Sequence, residues 1–140
     1  MRKIILKRAV TATGGRQGHL LSEDGNIDLK LDLPTELGGH PAPHTTNPEQ
    51  LFAAGYASCF ASSLEYILTT EQVKYEQVVI TSNALLLKDD AGGFKFGIDL
   101  VAQIKGLDKK IAKQYVDLAY AFCPYSKAIR GNVEVKIEVK

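Results

Sequence analysis

The chain has 140 residues, 45% of them hydrophobic and 24% charged, with 17 Lys+Arg against 16 Asp+Glu. That length suits a single domain over residues 1–140, which can bury roughly two-thirds of its unfolded surface without disulfide staples or a structural metal. The charges are near balance and interspersed, which argues against nucleic acid and anionic membrane as partners.

The basic N-terminus is interrupted by Lys7 and Arg8 before any signal-peptide core develops. The only cysteines, Cys59 and Cys123, are far apart and form no CxxC. Together these features predict a cytoplasmic location with free thiols. His19, His40 and His44 show no metal-ligand spacing.

In chain order, residues 2–13 predict a first strand ending at Gly14-Gly15. His19–Ser22 and residues 27–33 predict a hairpin turned at Glu23-Asp24-Gly25-Asn26, with Ile27, Leu29, Leu31 and Leu33 on one face. Pro34, Pro41 and Pro43 mark residues 34–47 as a loop. A helix follows, with Asn47 as cap, Pro48 at its first position and Glu49 in its first turn, where the backbone dipole favours negative charge. Residues 51–68 are apolar nearly all round, but Ser58, Ser62, Ser63 and Glu65 interrupt them, so they read as a buried helix and not a bilayer span.

Residues 76–88 and 94–104 predict a second hairpin around Asp89–Gly93. Asp108 then caps a helix whose Ile111, Tyr115, Leu118 and Phe122 form one apolar stripe, and Cys123-Pro124 stops it. A short helical turn ends at Gly131, and residues 133–139 alternate as a last strand. The expected fold is α+β, with antiparallel sheets around a buried central helix. One sheet covers only one side of that helix, so a second copy is expected on the other, making a homodimer.

Cys59 fits either a buried small hydrophobe or a reactive thiol. Cys123 fits either a helix stop or a thiol at the start of the next helix. Spacing does not make them a redox pair, because a disulfide needs Cα atoms within about 7 Å. Arg16 lies among Gly14, Gly15 and Gly18, as a plain turn residue or as a cation brought close to another element. Glu49 and Cys59 are about 15 Å apart along one helix, so they can meet only between two crossing copies, with Ala53-Ala54-Gly55 small enough to let the helices approach.

Residues 46–60, TNPEQLFAAGYASCF, closely resemble the signature of organic hydroperoxide resistance proteins in the OsmC/Ohr superfamily. Residues 123–132, CPYSKAIRGN, look like that family's second cysteine motif, and residues 12–18, ATGGRQG, like its arginine motif. The proline-rich residues 39–45 depart from the glycine-rich loop expected there. The resemblance implies an intertwined homodimer with interfacial active sites. Cys59 would be the peroxidatic thiol and Cys123 the resolving thiol, with Arg16 and Glu49 the polar pair that activates Cys59. It further implies an organic hydroperoxide substrate and no resident cofactor, with reduction by an external dithiol such as the dihydrolipoyl group of a lipoylated protein. Phe52, Phe60, Phe94, Phe96 and Tyr125 are candidate apolar walls. A binding module for an apolar ligand and a one-shot redox sensor are the other classes compatible with the residues.

Overall fold

The computed structural model describes residues 1–140, which divide into two compact units, Met1–Leu51 and Phe52–Lys140. In the first, β1 (Val10–Thr13), β2 (His19–Ser22) and β3 (Asp28–Lys30) form an antiparallel sheet in the order β1-β2-β3. The predicted turn is present: the Ser22 hydroxyl donates to Asp24 at 2.6 Å, and the Ile27 N–H donates back to Ser22 Oγ at 2.9 Å. The first strand is shorter than the expected 2–13, because β2 offers partners only to residues 10–13. Leu31 continues β3 as a bridge to Thr46, which returns the chain from the proline-rich loop to the helix start. Asp32 ties that loop down by accepting the Ala42 N–H at 3.0 Å.

Helix α1 (Pro48–Thr70) starts where capping chemistry predicts, with Asn47 Oδ1 accepting the Gln50 N–H at 2.8 Å. By length and composition it is long and apolar enough to cross a membrane. In Phe52–Lys140 its Tyr56, Phe60, Leu64 and Leu68 enter a common core with the sheet. The opposite side shows Ala54, Ser58 and Ser62 to solvent. Both serine hydroxyls donate to backbone carbonyls of the helix itself, Ser58 to Gly55 at 3.0 Å and Ser62 to Ser58 at 2.8 Å.

The sheet of this unit is β4 (Gln77–Lys88), β5 (Phe94–Lys105) and β6 (Glu134–Val139) in that order. Ile98, Leu100, Ala102 and Ile104 are buried on one face of β5, as the alternation predicts. Two details differ from the sequence reading. β6 pairs with β5 in parallel, not antiparallel, because α2 (Lys109–Phe122) and α3 (Pro124–Ile129) carry the chain back before it re-enters the sheet. The buried face of α2 is also rotated by one residue: Ala112, Val116, Ala119 and Cys123 are buried, whereas Ile111, Leu118 and Phe122 are exposed. Large side chains on β5 leave room for a small-residue helix face, and close packing selects that face over the bulkier stripe.

Candidate active site

Cys123 stands at the joint between α2 and α3. Its N–H still closes the last turn of α2 on the Ala119 carbonyl at 2.8 Å. Pro124 disfavours helical backbone in the residue before it, and Cys123 takes φ −57° and ψ 126°. That break ends one helix, opens the next and leaves the sulfur buried among the core side chains.

Cys59 lies mid-way along α1, half-buried, with its sulfur 3.6 Å from that of Cys123. Both are free thiols. A bonded pair has an S–S length of about 2.05 Å, so a modest approach separates this contact from a disulfide. Burial pushes the Cys59 thiol above its ordinary value. A hydrogen bond from the Tyr125 backbone N–H opposes this, and the neighbouring Cys123 adds to it. Within this pocket alone the sulfur is therefore a poor nucleophile at neutral pH.

Aromatic rings from α1, α3 and β5 pack on one another. Phe52 packs on Phe96 at 5.0 Å between centroids and edge-on to Tyr125 at 6.4 Å. Tyr125 in turn stacks on Tyr56 at 6.0 Å and 22°. Gly55 makes this possible, since a Cβ there would lie 2.6 Å from the Tyr125 phenol oxygen. Of the other candidate wall residues, Phe60 is fully buried in the core, and Phe94 is 66% exposed at the end of the β4–β5 hairpin, where it pairs with Lys88. Phe94 therefore lies outside this aromatic cluster.

The other two candidate residues meet in Met1–Leu51. The turn between β1 and β2 presents Arg16, and a Cβ at Gly18 would run into the Thr13 and Gly15 carbonyls, so the loop closes tightly only with glycine there. Arg16 binds Glu49, in the first turn of α1, through two parallel contacts: Nη1 to Oε2 at 2.9 Å, and the shorter Nη2 to Oε1. Hydrogen bonding to the guanidinium holds the Glu49 carboxyl below its ordinary range, and the carboxylate in turn pushes Arg16 up. Arg16 is thus a guanidinium fixed in orientation by a carboxylate that balances its charge, with its Nε–H and outer N–H groups remaining as donors.

The four candidate residues thus form two pairs, Cys59 with Cys123 and Arg16 with Glu49. The sequence reading missed two contacts of the thiol pocket: the Tyr125 N–H on the Cys59 sulfur, and a 2.7 Å hydrogen bond between the Tyr56 and Ser126 hydroxyls. The available signal was spacing, since Tyr56 precedes Cys59 and Ser126 follows Cys123 by three residues.

Residues 39–138 match the family model described as OsmC-like protein. The chain is 44% identical over 131 residues to organic hydroperoxide resistance protein OhrB of Bacillus subtilis, covering 94% of this chain and 95% of that one. It is 39% identical over 135 residues to the organic hydroperoxide resistance protein of Xanthomonas axonopodis pv. citri, covering 96% and 94%. Among solved structures it superposes with a TM-score of 0.93 on an organic hydroperoxide resistance protein OsmC from Legionella pneumophila, at 44% identity and 99% coverage of both chains. With similarity along nearly its whole length in both sequence and backbone, the chain belongs to the OsmC-like family, in its organic hydroperoxide resistance branch.

Proposed function

We propose that this chain is a cysteine-based organic hydroperoxide reductase acting in hydroperoxide detoxification. The observation that carries the reading is the 3.6 Å contact between Cys59 and Cys123, one half-buried on α1 and the other fully buried. The Cys59 thiolate attacks the distal peroxide oxygen, the O–O bond breaks, an alcohol leaves, and Cys59 becomes a sulfenic acid. Cys123 then attacks that sulfur, forming the disulfide and releasing water. A dithiol, such as the dihydrolipoyl group of a lipoylated protein, returns two electrons and resets both thiols. This cycle needs a reducing compartment, in keeping with a cytoplasmic enzyme.

Burial disfavours the thiolate on which the first step depends. Arg16 is the cation assigned to offset it, with Glu49 holding the guanidinium in orientation. The guanidinium must favour the thiolate by more than burial disfavours it. Glu49 is itself an anion and opposes ionisation, so its part is positional.

The active unit is a homodimer with interfacial sites. Support comes from the exposed small-residue face of α1 (Ala54, Ser58 and Ser62) and from the large apolar side chains Leu118 and Phe122 left open on α2. The test is to add one equivalent of an alkyl hydroperoxide and count free thiols. Two thiols lost per chain, one alcohol formed and full recovery with dihydrolipoamide are expected. Cys123→Ala should lose one thiol and stop after a single turnover. Ligand retention with both thiols intact would instead indicate a binding module, and disulfide formation without rapid dithiol cycling a sensor.

A further inference from the structure

Beside the Tyr125 N–H on the Cys59 sulfur, two side-chain rungs join α1 to the α2–α3 joint, and the sulfur contact is one of them. Tyr56 lies three residues before Cys59 and Ser126 three after Cys123, so each residue sits about one helical turn from a cysteine. Their oxygens are 2.7 Å apart, and both residues are 0% exposed. Burial pushes the Tyr56 phenol up to about 12, so this rung stays neutral and intact throughout the range in which a thiol works.

α3 has only six residues, too few to persist without tertiary support. Ser126 is its only fully buried side chain. The direction of the Cys123 sulfur, set at a non-helical joint, therefore depends on how α3 is docked.

We propose that the Tyr56–Ser126 hydrogen bond is a positioning device for resolution: it holds Cys123 within reach of Cys59, so that the Cys59 sulfenic acid becomes a disulfide before a second hydroperoxide arrives. The inference rests on the peroxidase reading above. In resolution the Cys123 sulfur bonds to the Cys59 sulfur, the S–O bond breaks, and the hydroxyl leaves as water with the Cys123 proton. In the competing reaction the Cys59 sulfenate attacks a second organic hydroperoxide, its O–O bond breaks, an alcohol leaves, and the product is a sulfinic acid that dithiols do not reduce. Only the first route depends on where Cys123 is held. Tyr56 and Ser126 are assigned no contact with the peroxide, so they are positioning residues.

The experiment compares the full-length parent with Tyr56→Phe, Ser126→Ala and the double variant. Each is mixed with tert-butyl hydroperoxide, quenched, alkylated and read by mass spectrometry for thiol, disulfide and sulfinic acid. Loss of the Cys59 thiol should stay within about twofold of the parent, while disulfide formation slows about five- to tenfold. The peroxide concentration that over-oxidises half of Cys59 should fall by the same factor. The double variant should be no worse than either single, because one deletion already breaks the rung and the second removes the unpaired hydroxyl. Disulfide formation at the parental rate in both single variants would overturn the proposal. So would an equal slowing of both steps, which would signal general loosening. A parent that loses no thiol would instead overturn the peroxidase reading, and this inference with it.

Discussion

In residues 52–140, α1, α2 and the β4-β5-β6 sheet share one buried core, whereas in residues 1–51 only the side chains of Leu31 and Ser22 are buried. The sulfur pair belongs to the first region and the ion pair to the second. A thiol contact set by close packing is fixed wherever the core is intact, because side chains there have few other places to go. The cation rests on a tight turn and a two-point contact with a carboxylate, so its orientation depends on a handful of hydrogen bonds. Substitutions in the two regions should therefore fail in different ways.

The largest effect is expected from Arg16→Ala. Without the cation the Cys59 pKa should rise, and peroxide reduction at neutral pH should fall on the order of a thousandfold. Fold stability should change by less than about 1 kcal/mol, since Arg16 is 35% exposed. Titration of Cys59 by alkylation rate checks this, and an unchanged pKa would remove Arg16 from the chemistry. Next comes Leu64→Ala, at a position 0% exposed, which should cost about 3 kcal/mol in urea unfolding. Leu21→Ala, at 48% exposure in residues 1–51, should stay within about 0.5 kcal/mol. Similar losses at the two sites would erase the contrast between the regions.

Gly55→Ala should cost about 1–2 kcal/mol, because the new Cβ meets the Tyr125 ring and must displace it. A melting curve and near-ultraviolet dichroism would register both effects, and an unchanged pair of readings would mean that the ring has room to move. A small effect is also expected at Glu49. Its carboxyl is held low by Arg16, so its contribution is present in full above its unfolded value and is lost as pH falls through the lower folded value. Glu49→Gln should abolish that part of the acid limb, worth up to about 1 kcal/mol at neutral pH. Parallel stability–pH curves for parent and variant would show that the pair adds nothing to folding.

Much of the local structure could be read in advance. The Asn47 and Asp108 caps, the Asp24-Gly25 turn, the β4–β5 hairpin and the stop at Cys123-Pro124 depend on neighbouring residues, and each is present. On α2 two stripes share the same helical spacing, so spacing alone does not choose the buried face. Bulk favours Ile111, Tyr115, Leu118 and Phe122, yet the space beside β5 accepts Ala112, Val116, Ala119 and Cys123. The parallel return of β6 has a signal too, the strand–helix–strand order from β5 through α2 and α3.

For the site, the sequence by itself determined which residues are candidates for the chemistry, through the motifs around Arg16, Glu49, Cys59 and Cys123. It also determined where the helices that hold them begin and end, because capping and proline sterics act over a few residues. Only the tertiary structure decided that the two sulfurs lie 3.6 Å apart and that Ser126 reaches Tyr56. Those contacts join residues nearly half the chain apart, and their geometry follows from how helices and sheet pack, which no local pattern encodes.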